Sequence, residues 1–100
     1  MNPNQMRQLQ KLQQEMQKAQ EDIQNATAEG TAAGGAVTVA ISGDFRVSKV
    51  TLKPEVVDPA DVEMLEDLLV VALADAHKKI EEFAAKRMSA ATGGMRIPGM

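Results

Sequence analysis

The chain has no cysteine, no tryptophan and no tyrosine, and only two phenylalanines and one histidine in 100 residues. Without cysteine there is no disulfide and no thiolate metal site, and a reducing compartment suits the chain. The scarcity of aromatic rings argues against single-stranded nucleic acid as a ligand, because such sites stack bases on aromatic side chains. Long hydrophobic runs are missing too. The most apolar stretch, Leu68 to Ala74, is far shorter than the roughly 20 residues of a membrane span. The polar start, MNPNQMRQLQKLQQ, lacks the apolar stretch of a signal peptide. A soluble cytoplasmic protein without a membrane partner is the expectation. An excess of positive charge is also absent: net charge is -3 and the pI about 5.1, whereas a strongly basic nucleic-acid-binding domain has a pI above about 9.

The inventory for catalysis is equally thin. His77 is the single histidine, so it has no second imidazole for a metal or a proton relay, and it reads as a surface or boundary residue. The acids between Glu55 and Asp67 lack the spaced oxygen ligands and glycine of a calcium loop. They read as helix caps and solubilising charges. The glycine pairs at 34–35 and 93–94 match no phosphate-cradling motif, which requires a lysine and a following helix. No nucleophile, base and orienting group can be named together. The chain reads as a non-enzyme with no cofactor, no metal and no small-molecule substrate.

What the chain does contain is one long, oily helix. Asp58 can cap its start, Pro59 fits the first helical position, and the pattern runs to about Ala91, where Thr92-Gly93-Gly94 ends it. Acids crowd its first turns and Lys78, Lys79, Lys86 and Arg87 its far end, an order that suits the helix dipole. Leu68 to Ala74 is apolar on every side, and a helix apolar all round must be buried all round. A chain this small has little to bury it, so the expected remedy is a second copy of the same chain. The expected self-contact covers Leu65, Leu68, Leu69, Val70, Val71, Ala72 and Leu73.

The first half is weaker in signal. Leu9, Leu12, Met16, Ala19, Ile23 and Ala26 recur at spacings of three and four, the seam of a helix spanning about 3–27. Thr27 to Gly35 breaks that pattern with small residues and reads either as a linker or as a weak edge strand. Val37 to Ile41 alternates as a half-buried strand, and Ser42-Gly43-Asp44 supplies a turn. Phe45 to Lys53 follows as a strand with a phase break, since Phe45 and Val47 share one face and Val50 and Leu52 the other. Either a bulge falls near Ser48–Lys49 or both faces are partly covered. The domain is expected to occupy residues 1–92, with strands over about 28–53, a helix over about 59–91, and a flexible tail from 93 to 100.

The basic residues form a pattern despite the acidic total. At about 100° per residue, Arg7, Lys11 and Lys18 lie within about 40° of each other, opposite the seam. They are spaced roughly 6 Å and 10 Å along the axis. Such a line can follow a phosphate backbone, which asks for positive charge rather than a particular side-chain shape. Lys79 and Lys86 share a stripe on the long helix, and Arg46, Lys49 and Lys53 add charge to the strand region. The alternative is a solvated face, because Glu15, Asp22, Glu81 and Glu82 stand among these bases. A third reading is a helical protein-interaction module that docks a partner through the seam or its methionines.

Four blocks carry a resemblance: Met16-Gln-Lys-Ala-Gln-Glu-Asp-Ile23, Ala28-Glu-Gly-Thr-Ala-Ala-Gly-Gly-Ala-Val37, Asp58-Pro-Ala-Asp-Val-Glu-Met-Leu-Glu-Asp-Leu68 and Thr92-Gly-Gly-Met-Arg-Ile-Pro-Gly99. In this order they resemble the YbaB/EbfC family of bacterial nucleoid-associated proteins over nearly the whole length. The resemblance implies an α+β fold, with a helix, a three-stranded antiparallel sheet and a long helix (α-β-β-β-α), in an intertwined homodimer with projecting helical arms. It makes Thr27–Ala33 a true first strand. It also implies duplex DNA as the partner, altered in conformation by the arms, with a place in the nucleoid and a role in gene expression. Carried onto this chain, the DNA-contacting candidates are Arg7, Lys11, Lys18, Lys78, Lys79, Lys86 and Arg87. Relatives often carry a lysine on the central strand where Thr38 stands here.

Overall fold

The structure, a computed structural model, describes residues 2–93. Helix α1 spans Pro3–Asn25. Three antiparallel strands follow, β1 (Thr27–Ala32), β2 (Val37–Ser42) and β3 (Val47–Leu52), in the order β1-β2-β3. Helix α2 spans Val62–Ala91. This is the expected α-β-β-β-α order, and Thr27–Ala32 is a full strand rather than a linker. The expected tail lies outside the described residues apart from Gly93.

Each helix starts where its backbone N–H groups find a partner. At α1, the Asn2 side chain accepts from the Gln5 N–H at 2.8 Å, Gln5 Oε1 accepts from the Asn2 N–H, and Pro3 occupies the first turn, a reciprocal capping box. The start of α2 differs from expectation. Asp58 accepts from the Ala60 N–H within a turn, and it is Asp61 that caps the helix by accepting from the Met64 N–H. Pro59 and Ala60 form a turn closed by the Asp61 N–H, which donates to the Asp58 carbonyl at 2.9 Å, so the capping role moves three residues downstream of Asp58.

The phase break in the last strand resolves as a bulge. Ala40 pairs with Lys49 but Ile41 pairs with Val47, leaving Ser48 as the extra residue. That shift brings Val47, Val50 and Leu52 opposite Ile41, Val39 and Val37, so all three share the face on which β2 is buried. Phe45 belongs to the preceding turn and not to the strand. Its N–H donates to the Ser42 carbonyl, while the Ser42 N–H donates to the Arg46 carbonyl. This places Phe45 at φ 62°, a strained conformation for a bulky side chain.

The inner face of the sheet packs on α2, chiefly through β1 and β2. One cluster joins Val37, Val39, Ala32 and Val56 to Ala72, flanked by Leu65, Leu68 and Leu69; a second joins Ile41 to Ala76 and Ile80. The approach at β1 is close because Gly30 has no side chain. A Cβ there would lie 2.0 Å from the Ala72 carbonyl oxygen and 2.3 Å from the Ala76 nitrogen. Past the sheet, α2 continues alongside the second half of α1. Ala19 is buried in that contact and Leu12, Met16 and Ile23 half-buried, whereas Met6 and Leu9 lie exposed on the uncovered first turns. The molecule is long, about 70 × 23 × 16 Å. Its radius of gyration is 19.1 Å, where a compact chain of this length has about 13 Å.

Candidate nucleic-acid interface

The arm made by α1 and the end of α2 carries most of the candidate cations. Arg7, Lys11 and Lys18 are exposed on α1, turned away from the seam that α2 covers. No ion pair engages any of the three among the described residues. Lys78 and Lys86 on α2 are likewise exposed.

The other two candidates are engaged within the chain. Lys79 Nζ donates to the Glu29 carbonyl at 2.9 Å and lies 3.2 Å from Asp75 Oδ2. Asp75 also accepts the Thr31 N–H at 3.0 Å. Residues 29 and 31 point these groups outward along the β1 edge, so the Asp75–Lys79 pair closes that edge against further strand pairing. The Thr31 N–H, followed by Lys79, holds the Asp75 carboxyl below the ordinary carboxylate value. Arg87 reaches from α2 to α1, with Nε and Nη2 at 3.1 and 2.9 Å from Asp22 Oδ2. Its side chain is only 26% exposed.

Smaller contacts organise the end of the sheet from which the arm leaves. The Gly43 N–H donates to the Ala26 carbonyl at 3.0 Å, and a Cβ on Gly43 would sit 1.6 Å from the Ile23 carbonyl oxygen. The β2–β3 turn is thus seated on the last turn of α1. Next to it Asp44 accepts from the Ser42 hydroxyl and pairs with Arg46 at 3.1 Å. The Ser42 hydrogen bond comes first among the causes that lower the Asp44 pKa. His77 is the expected boundary residue: half-exposed, its ring stacks on Phe45 at 4.7 Å between centroids and its Nδ1 lies 3.1 Å from Glu81. No group of three or more His, Asp or Glu side chains converges as a metal site among the described residues, and no described helix is long and apolar enough to cross a membrane.

The expected self-contact divides in two. Ala72 is fully buried, and Leu65, Leu68 and Leu69 pack on the chain's own core. Val70, Val71 and Leu73 stay exposed, Val70 by 67%. The apolar midsection is therefore not buried all round by one chain. A second apolar surface went unnoticed in the sequence. Since α2 lies over β1 and β2, the inner face of β3 is left open with Val47, Val50 and Leu52 exposed. The Asp22–Arg87 and Asp75–Lys79 contacts were also missed. Only the second had a signal, its i,i+4 spacing.

The YbaB/EbfC DNA-binding family profile matches residues 1–95. A nucleoid-associated protein of a Roseiflexus species is 49% identical over 100 residues, covering 99% of both chains. A nucleoid-associated protein of Desulforamulus reducens is 52% identical over 95 residues, covering 95% of this chain and 90% of its own. Among solved structures, the crystal structure of an uncharacterised protein from Helicobacter pylori matches with a TM-score of 0.66 at 22% identity, covering 86% of this chain and 91% of that one. That likeness establishes the fold.

Proposed function

This chain belongs to the YbaB/EbfC DNA-binding family, and we propose accordingly that it binds duplex DNA in the bacterial nucleoid, through its phosphate backbone, as a homodimer. The observation that carries the reading is the exposed line of Arg7, Lys11 and Lys18 on a projecting helix, which no ion pair engages among the described residues. Lys78 and Lys86 are proposed to extend the contact from α2. Phosphate neutralisation explains how an acidic protein binds DNA: charge on one face sets the local field, whatever the total. Backbone contact carries no base code, so binding is expected to be broad in sequence. Contact along an elongated arm is how the protein would alter DNA conformation and thereby influence gene expression.

The dimer rests on apolar surface that one chain leaves wet. Val70 and Leu73 on α2 and Val47, Val50 and Leu52 on the open β3 face are all exposed, each by about half or more except Leu52 and Leu73. Covering a half-exposed aliphatic side chain contributes about 1 kcal/mol. Among the described residues only Ile80 and Val37 are large and fully buried, a small core for an independent fold. A second copy that lays its α2 over this chain's β3 would bury both surfaces at once, and the exchange is reciprocal in a twofold pair.

A gel-shift titration of duplex DNA at several salt concentrations, beside a light-scattering mass, tests the proposal. The wild-type affinity falls steeply with salt, and replacing Arg7, Lys11 and Lys18 by Ala lowers the slope of log K against log salt by about 3 for each arm that contacts the duplex, leaving the mass at two chains. Binding that ignores salt, or none at low salt, refutes it. The exposed Met6 and Leu9 favour one second reading, a helical protein partner at the arm tip; a stoichiometric partner that survives nuclease treatment would support it.

A further inference from the structure

We infer that Arg87 is a positioning residue and not a phosphate contact: through Asp22 it fixes the rotation of α1 against α2 so that Arg7, Lys11 and Lys18 face outward together. The inference rests on the DNA-binding reading above. Three observations carry it.

The first is the geometry of the pair. Both Nε and Nη2 of Arg87 bond the same Asp22 oxygen, at 3.1 and 2.9 Å, and the Arg87 side chain as a whole is about three-quarters covered. A planar group held at two nitrogens resists rotation in a way that a single ammonium contact does not. The second is the place of Asp22 on its helix. At about 100° per residue it lies about 40° from the mean direction of Arg7, Lys11 and Lys18, nearer than Glu15 or Glu21 at about 60°. It is also the residue one turn beyond Lys18. Left to itself, its carboxylate would be available to Lys18 and would repel a phosphate at the end of the line. Among the described residues its ion pair is with Arg87, across the helix pair, and Lys18 remains exposed.

The third is the weakness of the other restraints on this part of α1. Its contact with α2 is a narrow seam in which Ala19 is the one fully buried residue, so few large side chains interlock across the pair to resist a roll. The hairpin tip at Gly43 restrains only the last turn. Asp22–Arg87 is the one ion pair joining the two helices among the described residues. Rolling α1 by a third of a turn would carry the basic line toward α2 and away from a duplex lying along the arm.

The test is the Asp22→Asn variant. If Arg87 contacts phosphate, D22N removes a negative charge and frees a positive one, so DNA binding tightens or stays the same. If Arg87 positions α1, D22N weakens binding, by about fivefold for a contact of surface ion-pair strength. Arg87→Gln then weakens it similarly, with the salt slope unchanged, and the exchange D22R/R87D restores it. Tighter or unchanged binding by D22N overturns the inference, as does failure of the exchange to restore affinity in a folded dimer. The chain has no cysteine, so spin labels on cysteines placed at the exposed positions Gln13 and Ala85 report the helix pair directly, diluted with unlabelled chain. The distance distribution is narrow in the parent and broadens in D22N; an unbroadened distribution also overturns the inference. A wild-type protein that binds no duplex at low salt refutes the DNA reading instead, and the spin-label distances still decide whether the pair holds α1.

Discussion

The Thr31 backbone N–H donates to the Asp75 carboxylate at 3.0 Å, and this bond joins the outer edge of β1 to the middle of α2. Asp75 then holds Lys79, which returns to the Glu29 carbonyl. One i,i+4 pair on a helix thus closes a donor and an acceptor on an edge strand, groups that would otherwise invite pairing with another chain.

The Asp75 carboxyl is held below its ordinary value of 3.8, first by the Thr31 N–H and then by Lys79. A carboxylate whose folded pKa is depressed stabilises the fold fully above its unfolded value and loses that contribution as pH falls through the folded one. The melting temperature of the wild type is therefore expected to fall more steeply below about pH 4 than that of Asp75→Asn, which starts lower at pH 7 because it has lost the charge that Lys79 pairs with. Melting curves between pH 7 and pH 2.5 check this; parallel curves for the two proteins would show that the contact is idle.

Gly30 and Gly34 make a matched pair for testing close packing. A Cβ on Gly30 would overlap the α2 backbone at Ala72 and Ala76, whereas one on Gly34 meets nothing within 4 Å but sits at φ 65°. Backbone cannot step aside as a side-chain end can, so Gly30→Ala is expected to cost about 3 kcal/mol. Gly34→Ala is expected to cost only its left-handed strain, about 1 kcal/mol. Urea denaturation of both variants decides; equal losses would mean that α2 and β1 separate without cost.

Period and punctuation made much of this fold readable in advance. The 3.6-residue seam from Leu9 to Ala26 marked α1, the alternation of Val37, Val39 and Ile41 marked β2, and the broken phase between Val47 and Val50 allowed either a bulge or two partly covered faces, of which the bulge occurs, at Ser48. Three things were not readable. The capping role passed from Asp58 to Asp61 because a turn intervenes, and two nearby Asp residues look alike in sequence. Phe45 looked like a strand residue because an apolar aromatic normally is one, and only the hydrogen bonds of the Ser42–Arg46 turn reveal its left-handed backbone. The pairs Thr31–Asp75 and Asp22–Arg87 join residues 44 and 65 apart, and no local period encodes which charge on one helix will meet which group on another element. The basic line on α1 was legible because it lies within one helix.

Val70 and Val50 lie on the two apolar surfaces that a single chain leaves exposed, by 67% and 47%. If a second copy covers them, Val70→Glu and Val50→Glu each bring a carboxylate into a contact that has no partner for it, a cost of several kcal/mol per buried charge. Each variant is expected to shift the light-scattering mass from two chains toward one at micromolar concentration, with lowered melting temperature because the small core then stands alone. Arg7→Glu, far out on α1, leaves the mass unchanged. A wild type that scatters as one folded chain would dispose of the proposed dimer.

Lys78 and Lys79 are neighbours in sequence but differ in employment, which lets one comparison separate DNA contact from architecture. Lys79 is tied to Asp75 and the Glu29 carbonyl, whereas Lys78 is exposed. Removing a phosphate-contacting cation weakens binding and lowers the salt slope by about 1 for each copy of it that touches the duplex. Lys78→Ala is expected to do this while melting at the wild-type temperature. Lys79→Ala is expected to lower the melting temperature, since the Glu29 carbonyl and the Asp75 carboxylate lose their shared donor, and to leave the slope where it was. Salt-dependent gel shifts and melting curves on the two single variants give both readings. The reverse assignment, with Lys79 setting the slope and Lys78 the stability, would mean that the Lys79 side chain leaves β1 to reach DNA.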